Sequence, residues 1–400
     1  MRYRLTRSTR SRRGQILTPT DLALRLADSL RVTSGDWLEL GSGSGRLLEA
    51  CVGSRPIDRY IGVELDRRLA ASSPSAPPVE IHHADVLQPD ALDAVLGNRR
   101  FRCVLGNPPF GVESLHLAAQ TRLLAMYPEA QMVNGWARLD LYFMLESLTR
   151  LERPGEAAFI VAAPIVQEQT LSTFRRTLID SASELECYEL PPQTFDKRAE
   201  VQSFLLIARF GAKAGAAVTL GRLGGEDFEV THSRSVDRQA AIARMDLAHH
   251  EFNDLNQSFS RRAKFTTLEQ LGAQIVRGSR SRSQFEALDV EHFHTSHFPH
   301  AGGDVSFGRA SHSEFQTAHA GHILVPRVGS RCIDRTAIVL KGRRAFTEAV
   351  YRVVVPERTR TAVFDWMSSE NGREWRRRAA HGSCAKHLTV SSLLAMPVPA

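Results

Sequence analysis

Hydrophobic residues recur along the first half of the chain in two alternating rhythms. Between about 20 and 210, amphipathic stretches at helical spacing are separated by short apolar runs, the pattern of a parallel sheet joined by crossover helices. Leu22–Leu30 reads as an amphipathic helix. Strands are predicted at Trp37–Leu40, Tyr60–Glu64, Glu80–His83, Cys103–Gly106, Ala157–Ala162 and Ser203–Arg209. Each of the first four ends at a polar or Gly position, and the carboxyl edge of such a sheet is where ligands bind. The Gly/Ala-rich stretch Gly211–Ala216 predicts the edge of this region, and the alternation is lost beyond it. From about 260 the chain is rich in Arg, His, Ser and Gly, with β-like runs at His322–Val328 and Ala349–Val355 and one helix over Thr361–Ala380. Four hundred residues exceed one ordinary core. The change of pattern places an α/β domain at 1–240 and a smaller, mixed, β-rich domain at 241–400.

Composition narrows the class. With 42% hydrophobic and 24% charged residues the chain is globular, neither disordered nor fibrous. The longest apolar run, Ala157–Val166, is too short to span a bilayer. No secretory h-region is seen, and the acid-free start MRYRLTRSTRSRR leaves too little before Gly14 for a cleaved transit peptide, so a cytoplasmic protein is expected. The five cysteines (Cys51, Cys103, Cys187, Cys332 and Cys384) are scattered without a C-x-x-C pair, which encodes neither a disulfide framework nor a zinc cage.

Charge is uneven. Residues 1–13 carry six Arg and no acid, and from Ser260 onward 21 Lys and Arg face 12 Asp and Glu, a net of +9. The whole chain is +7, so residues 14–259 hold −8. A basic arm and a basic C-terminal region on an acidic body suit a polyanionic partner, because Lys and Arg displace the counterions condensed on phosphates. A solvated basic surface would look the same.

Candidate chemistry clusters at the strand ends. WLELGSGSGRLL places Glu39, Gly41, Gly43 and Gly45 where a strand turns into a helix, and glycines there let the backbone turn sharply under a ligand. Glu64 ends the next strand, where a carboxylate can hold both hydroxyls of a ribose, and Asp85 follows the third, placed for an adenine amino group. Three acids in phase at one sheet edge describe an adenosine site without separating NAD from S-adenosylmethionine. The fourth strand ends in Asn107-Pro108-Pro109-Phe110. Two prolines stiffen the backbone, so the Asn107 side-chain oxygen and the Pro108 carbonyl can both accept from one –NH2 group. Such acceptors would draw a delocalised amine toward a tetrahedral arrangement and absorb the charge that develops during methyl transfer. Phe110 would stack on an extruded base, and Phe195 could offer a second aromatic face. No Pro-Cys dipeptide of the kind that attacks cytosine occurs.

These motifs, in this order, resemble the gamma-class (TaqI-like) DNA adenine-N6 methyltransferases of the N-6 DNA methylase family. The resemblance begins with GQILTPTDLALRLA (Gly14–Ala27), which would lay Thr18 and Pro19 against the cofactor. It continues through Glu39, Gly41, Gly43 and Gly45, through Glu64 and Asp85, and through the tetrapeptide, to a further motif opening with Asp140 and Tyr142. It implies a class I methyltransferase fold, Rossmann-like and doubly wound on a mostly parallel seven-stranded sheet, followed by a β-rich target-recognition domain. It also implies S-adenosylmethionine as cofactor and site-specific methylation of N6 on an adenine flipped out of duplex DNA. Two departures stand out: Phe110 replaces the commoner Tyr, and Gly-Ser-Gly-Ser-Gly replaces a Pro-containing turn. Thr266–Gly278, His322–Arg331 and Lys386–Pro399 are similar to segments of recognition domains in this family. Arg277, Arg280, Arg282, Arg327 and Arg331 are the expected DNA contacts there. A monomer is expected, with any restriction or defence partner encoded separately.

Three alternatives compete with that expectation. The same tetrapeptide serves RNA adenine-N6 and protein glutamine-N5 methyltransferases, and an inactive DNA-specificity module would also be basic. The histidines of EHFHTSHFPH (His292, His294, His297 and His300) invite a zinc reading, but without Cys or carboxylates at ligand spacing we expect no metal.

Overall fold

A computed structural model describes residues 17–52, 55–195, 201–211, 217–261, 264–300, 302–308, 314–380 and 386–399. The basic arm at 1–13, the opening of the first motif (Gly14–Ile16) and Cys384 lie outside these residues. The chain divides into two units, Met1–Leu247 and Ala248–Ala400.

The first unit is built on one sheet, of β1 (Asp36–Leu40), β2 (Arg59–Glu64), β3 (Val79–His83), β4 (Phe101–Gly106), β5 (Leu151–Ala162), β6 (Glu184–Glu189), β7 (Ser203–Phe210), β8 (Ala217–Gly224) and β9 (Glu229–Val236). Their spatial order is β9-β8-β6-β7-β5-β4-β1-β2-β3. Strands β1 to β5 run parallel to their neighbours among themselves. β7 is antiparallel to both β5 and β6.

The sheet has nine strands rather than the expected seven, and it does not end at Gly211. β8 pairs parallel with β6, and β9 closes a hairpin against β8. The miss has a physical cause. β9 (EVTHSRSV) is exposed along most of its length, so it makes backbone bonds without burying side chains and shows no apolar signal. β6 (ELECYE) was missed for a related reason: Glu184 and Glu186 are paired with Arg209 of β7, so a buried strand carries charged letters.

Both faces of the sheet are covered, which explains why its central strands read as continuous apolar runs. Leu38, Leu40, Ile61, Val63 and Val104 face one core, and Trp37, Tyr60, Cys103 and Leu105 face the other. Helix α1 (Thr20–Ser29) and helix α2 (Arg46–Val52) cover the second face through Leu22, Leu26, Leu47 and Leu48. The strand order reverses at β1, which lies between β2 and β4. Register then matters: Leu38 pairs with Val104 and Glu39 with Leu105. The turn after β1 and the tetrapeptide after β4 therefore leave adjacent strands at the same edge, the crevice where open α/β sheets bind ligands.

The second unit holds a five-stranded sheet in the order Gln274–Arg277, Val350–Val354, Ile323–Pro326, Ala337–Lys341, Gly303–Ser306. A three-stranded sheet and a pair join it, and in the pair Phe265–Thr267 runs antiparallel to Pro397–Pro399. The helix expected over Thr361–Ala380 is two helices, Glu357–Ser368 and Glu370–Ala379. Ser369 is extended (φ −66, ψ 161) and its hydroxyl accepts from the Gly372 N–H, an N-cap that starts the second helix. A Cβ on Gly372 would sit 2.1 Å from the Trp366 carbonyl oxygen, so this break needs glycine.

Candidate active site

The glycine turn is held in a conformation that other residues rarely adopt: φ is +77 at Gly41, +58 at Gly43 and +79 at Gly45. The Gly41 and Ser42 amides both donate to the Val63 carbonyl, tying the turn to the end of β2. A Cβ on Gly43 would meet nothing within 4 Å, so the turn borders open space there, whereas one on Gly41 would press on the Phe143 ring at 3.3 Å. The hydroxyl oxygens of Ser42 and Ser44 are buried, and among the described residues neither has a hydrogen-bond partner. Buried polar atoms of this kind beside an open turn suit a polar ligand seated over it.

Three carboxylates stand at this edge of the sheet, on or just after β1, β2 and β3. Glu39, at 3% exposure, accepts a 2.5 Å hydrogen bond from the Tyr60 hydroxyl. Burial pushes its carboxyl up to about 8, with the Tyr60 bond acting against burial and nearby Glu64 adding to it. Glu64, 4% exposed, accepts from the Gly43 amide at 2.7 Å and from the Asp66 amide at 2.8 Å. It thus braces the turn, while a carboxylate's remaining lone pairs can still take ribose hydroxyls. Asp85 is half-buried after β3, and its Oδ1 accepts from the Leu87 amide at 2.9 Å, which shapes the turn into the next helix.

The tetrapeptide follows β4. The Asn107 Nδ2 donates to the Thr18 hydroxyl at 3.1 Å, joining positions 89 residues apart. With the nitrogen facing Thr18, the side-chain oxygen faces the other way. Thr18 is itself buried, and Pro19, extended (φ −58, ψ 146), immediately precedes α1. Phe110 and Phe195 meet with ring centroids 6.1 Å apart and planes at 88°. The two aromatics named in the sequence analysis are therefore in contact, edge to face. A planar base against the face of one ring would meet the other edge-on.

Neighbouring charges are structural. Asp140 is fully buried at the start of helix Leu139–Thr149, where Arg138 grips it through two bonds of 3.0 and 2.7 Å. Burial raises its carboxyl in spite of that cation. Tyr142 is fully buried. The thiols of Cys51, Cys103, Cys187 and Cys332 are all raised by burial, Cys51 to about 12, which disfavours nucleophilic thiolates.

In the second unit several of the arginines singled out above gather. Arg277 pairs with the Glu348 carboxylate at 2.6 Å, Arg327 donates to the Glu348 carbonyl at 2.7 Å, and the Arg280 carbonyl accepts from the Glu348 amide. Arg282 pairs with Glu286. A cleft of about 370 Å³ lies alongside, lined by Arg282, Glu286, His294, Thr347 and Glu348 among others. Arg331 is exposed on a separate turn. The four histidines have separate partners: His292 the Val290 carbonyl, His294 the Thr347 hydroxyl, His297 the His294 amide and His300 the Arg335 guanidinium. Among the described residues no group of His, Cys, Asp or Glu is arranged to hold a metal ion. Nor is any helix among them long and apolar enough to cross a membrane.

Sequence reading missed Tyr60, Ser42, Ser44 and Phe143. Tyr60 looks like an ordinary strand aromatic, and only the β1–β2 pairing brings it to Glu39.

Comparison with known proteins follows the same line. Residues 74–270 match the family described as N-6 DNA Methylase. The tRNA1(Val) (adenine(37)-N6)-methyltransferase of Porphyromonas gingivalis is 32% identical over 152 residues, which covers 34% of this chain and 59% of that protein. The modification methylase CviBIII of Paramecium bursaria Chlorella virus NC1A is 24% identical over 180 residues, 44% of each chain. Among solved structures, the type IIG restriction endonuclease BpuSI aligns over 97% of this chain and 59% of its own with a TM-score of 0.50 at 10% identity, a likeness of fold. The chain thus spans 44–59% of the length of these proteins.

Proposed function

Since the chain belongs to the N-6 DNA methylase family, with a class I methyltransferase fold and S-adenosylmethionine as methyl donor, we propose that it methylates N6 of an adenine flipped out of duplex DNA. The observation that carries this reading is the Asn107–Thr18 hydrogen bond at the switch point of the sheet, which orients the amide beside the glycine turn. When bound, S-adenosylmethionine supplies an electrophilic methyl on a sulfonium. Glu39, Thr18 and Pro19 would hold its methionine end, Gly41, Gly43 and Gly45 would let it approach the backbone, Glu64 would take the ribose and Asp85 the adenine amine.

The target side follows from the tetrapeptide. The Asn107 side-chain oxygen and the Pro108 carbonyl accept from the N6 amine, and Pro109 stiffens the corner. These fixed dipoles stabilise the positive charge that grows on nitrogen as the methyl arrives. Neither a covalent enzyme intermediate nor a thiolate is needed. Phe110 receives the face of the base and Phe195 its edge, and stacking worth ~1–3 kcal/mol per base offsets part of the few kcal/mol that extrusion costs. The second unit, basic from Ser260 onward, would hold the duplex through Arg277, Arg280, Arg282, Arg327 and Arg331, mostly at phosphates.

A tRNA adenine is the second reading, favoured by the name of the Porphyromonas relative. Transfer from labelled cofactor onto duplex DNA, tRNA and protein separates the readings. We expect label in N6-methyladenine of duplex DNA; label confined to tRNA or protein would overturn the proposal.

A further inference from the structure

Glu39 is buried, and among the described residues no cation faces its carboxylate. Tyr60 and Glu64 of β2, Cys51 of α2 and Cys103 of β4 are the titratable groups facing it or its tyrosine partner. Burial keeps both thiols and the phenol neutral at pH 7. Among the described residues Glu39 makes no ion pair; its side-chain bond comes from Tyr60, itself 0% exposed. Arg55 and Asp28 act on the Cys51 thiol one layer further out. An ionised carboxylate in such a place is costly unless a cation joins it. The buried Ser42 hydroxyl lies in the same turn, three residues along.

We propose that Tyr60 is a positioning residue which holds Glu39 for the α-ammonium of S-adenosylmethionine, and that docking of this ammonium ionises Glu39, so cofactor binding expels a proton. This rests on the cofactor reading of the glycine turn given above. The balance is simple. Below pH 8 the free site holds a carboxylic acid and the free ligand an ammonium, the complex holds a carboxylate–ammonium pair, and one proton leaves to solvent. The α-ammonium of a free amino acid, steadied by its own carboxylate, titrates at about 9, a unit above a chain N-terminus. Above that pH the free ligand is increasingly an amine and the free site a carboxylate, so forming the same pair takes a proton up. Burial sets Glu39 at about 8. Proton exchange should therefore change sign between these two values, and affinity should peak there, falling about tenfold per pH unit below both of them. Tyr60 steadies the carboxylate through its hydroxyl, so Tyr60→Phe should move the reversal to higher pH and weaken binding about tenfold at pH 7.

Calorimetric titration of the full chain with S-adenosylhomocysteine tests this without turnover, at pH 6.5, 8.5 and 9.5 in paired buffers of unlike ionisation enthalpy. We expect release approaching one proton at pH 6.5, little near pH 8.5 and uptake at pH 9.5. 5′-Methylthioadenosine, which lacks the amino acid, should bind without exchange, and Glu39→Gln should abolish the release. Tyr60→Phe should still bind 5′-methylthioadenosine, which shows that the variant is folded. If both ligands bind the wild type with no proton exchanged, the cofactor site stands and the inference falls. Binding of neither overturns the cofactor reading and the inference with it. A Tyr60→Phe profile that superposes on the wild type removes Tyr60 from the role.

Discussion

In the proposed reaction Asn107 and Thr18 form a two-part device: the amide oxygen would accept from the target amine, and the threonine hydroxyl, which accepts from Nδ2, sets the orientation of the amide. Asn107→Ala should lower the single-turnover methyl-transfer rate by about 10²–10³, the usual cost of one preorganised dipole, with cofactor affinity within about threefold of the wild type. Retained turnover would contradict the assignment. Thr18→Val removes the acceptor and frees the amide to rotate, so its rate should fall about tenfold, whereas Thr18→Ser should recover most of it. Phe110 is proposed to support a different step. Phe110→Ala should slow transfer to an adenine in a perfect duplex more than to a mismatched one, where extrusion is easier. Equal losses on both substrates would remove stacking from the explanation.

At the scale of elements, Arg175 deserves the clearest prediction. It is 0% exposed on helix Ser172–Ser181 and donates to the carbonyls of Ile165, Glu168, Ile242 and Ala243 at 2.7–3.1 Å. Burial and Arg244 push its guanidinium down to about 10, so it remains a cation at neutral pH. One side chain thus fastens residues 242–243 to the short helix Ala163–Gln167 that follows β5 and to Glu168 at its end. Arg175→Met would leave four carbonyls without these donors and should cost about 3–5 kcal/mol, read as a lower midpoint in urea denaturation. A midpoint unchanged from the wild type would show that water replaces the bracket. Nothing in the sequence marks Arg175, because an arginine on an amphipathic helix reads as a surface residue. The same is true of Arg376, 0% exposed and bonded to the Asp334, Arg335 and Met367 carbonyls. The helix break at Ser369 was equally hidden, since Ser-Ser-Glu-Asn-Gly interrupts the helical spacing only slightly.

For the whole molecule, charge distribution sets the expectation. Residues from Ser260 onward carry +9 and residues 1–13 carry six Arg without an acid. Duplex binding should therefore weaken steeply with salt, with a log–log slope of about −4 to −8 as several phosphates exchange their counterions. A slope near zero in fluorescence titrations would show that these charges do not meet a nucleic acid backbone. Exchanging a phosphate-contacting arginine for alanine should reduce the slope by about one, uniformly across DNA sequences.

What the amino-acid sequence determined by itself was everything carried by local pattern. The first five strands and β7 were legible because apolar runs of strand length, bounded by glycines and acids, have few other uses when helices cover both faces. The glycine turn and the tetrapeptide were legible because backbone constraints, positive φ and paired prolines, are written in residue type. Tertiary structure alone decided which distant positions meet. The β1–β2 register delivers Tyr60 to Glu39, the folding of α1 delivers Thr18 to Asn107, and the chain's return delivers Phe195 edge-on to Phe110. Such contacts depend on register and crossing geometry rather than composition. Strands such as β6 and β9, whose charges are paired or solvated, stay silent until their partners are in place.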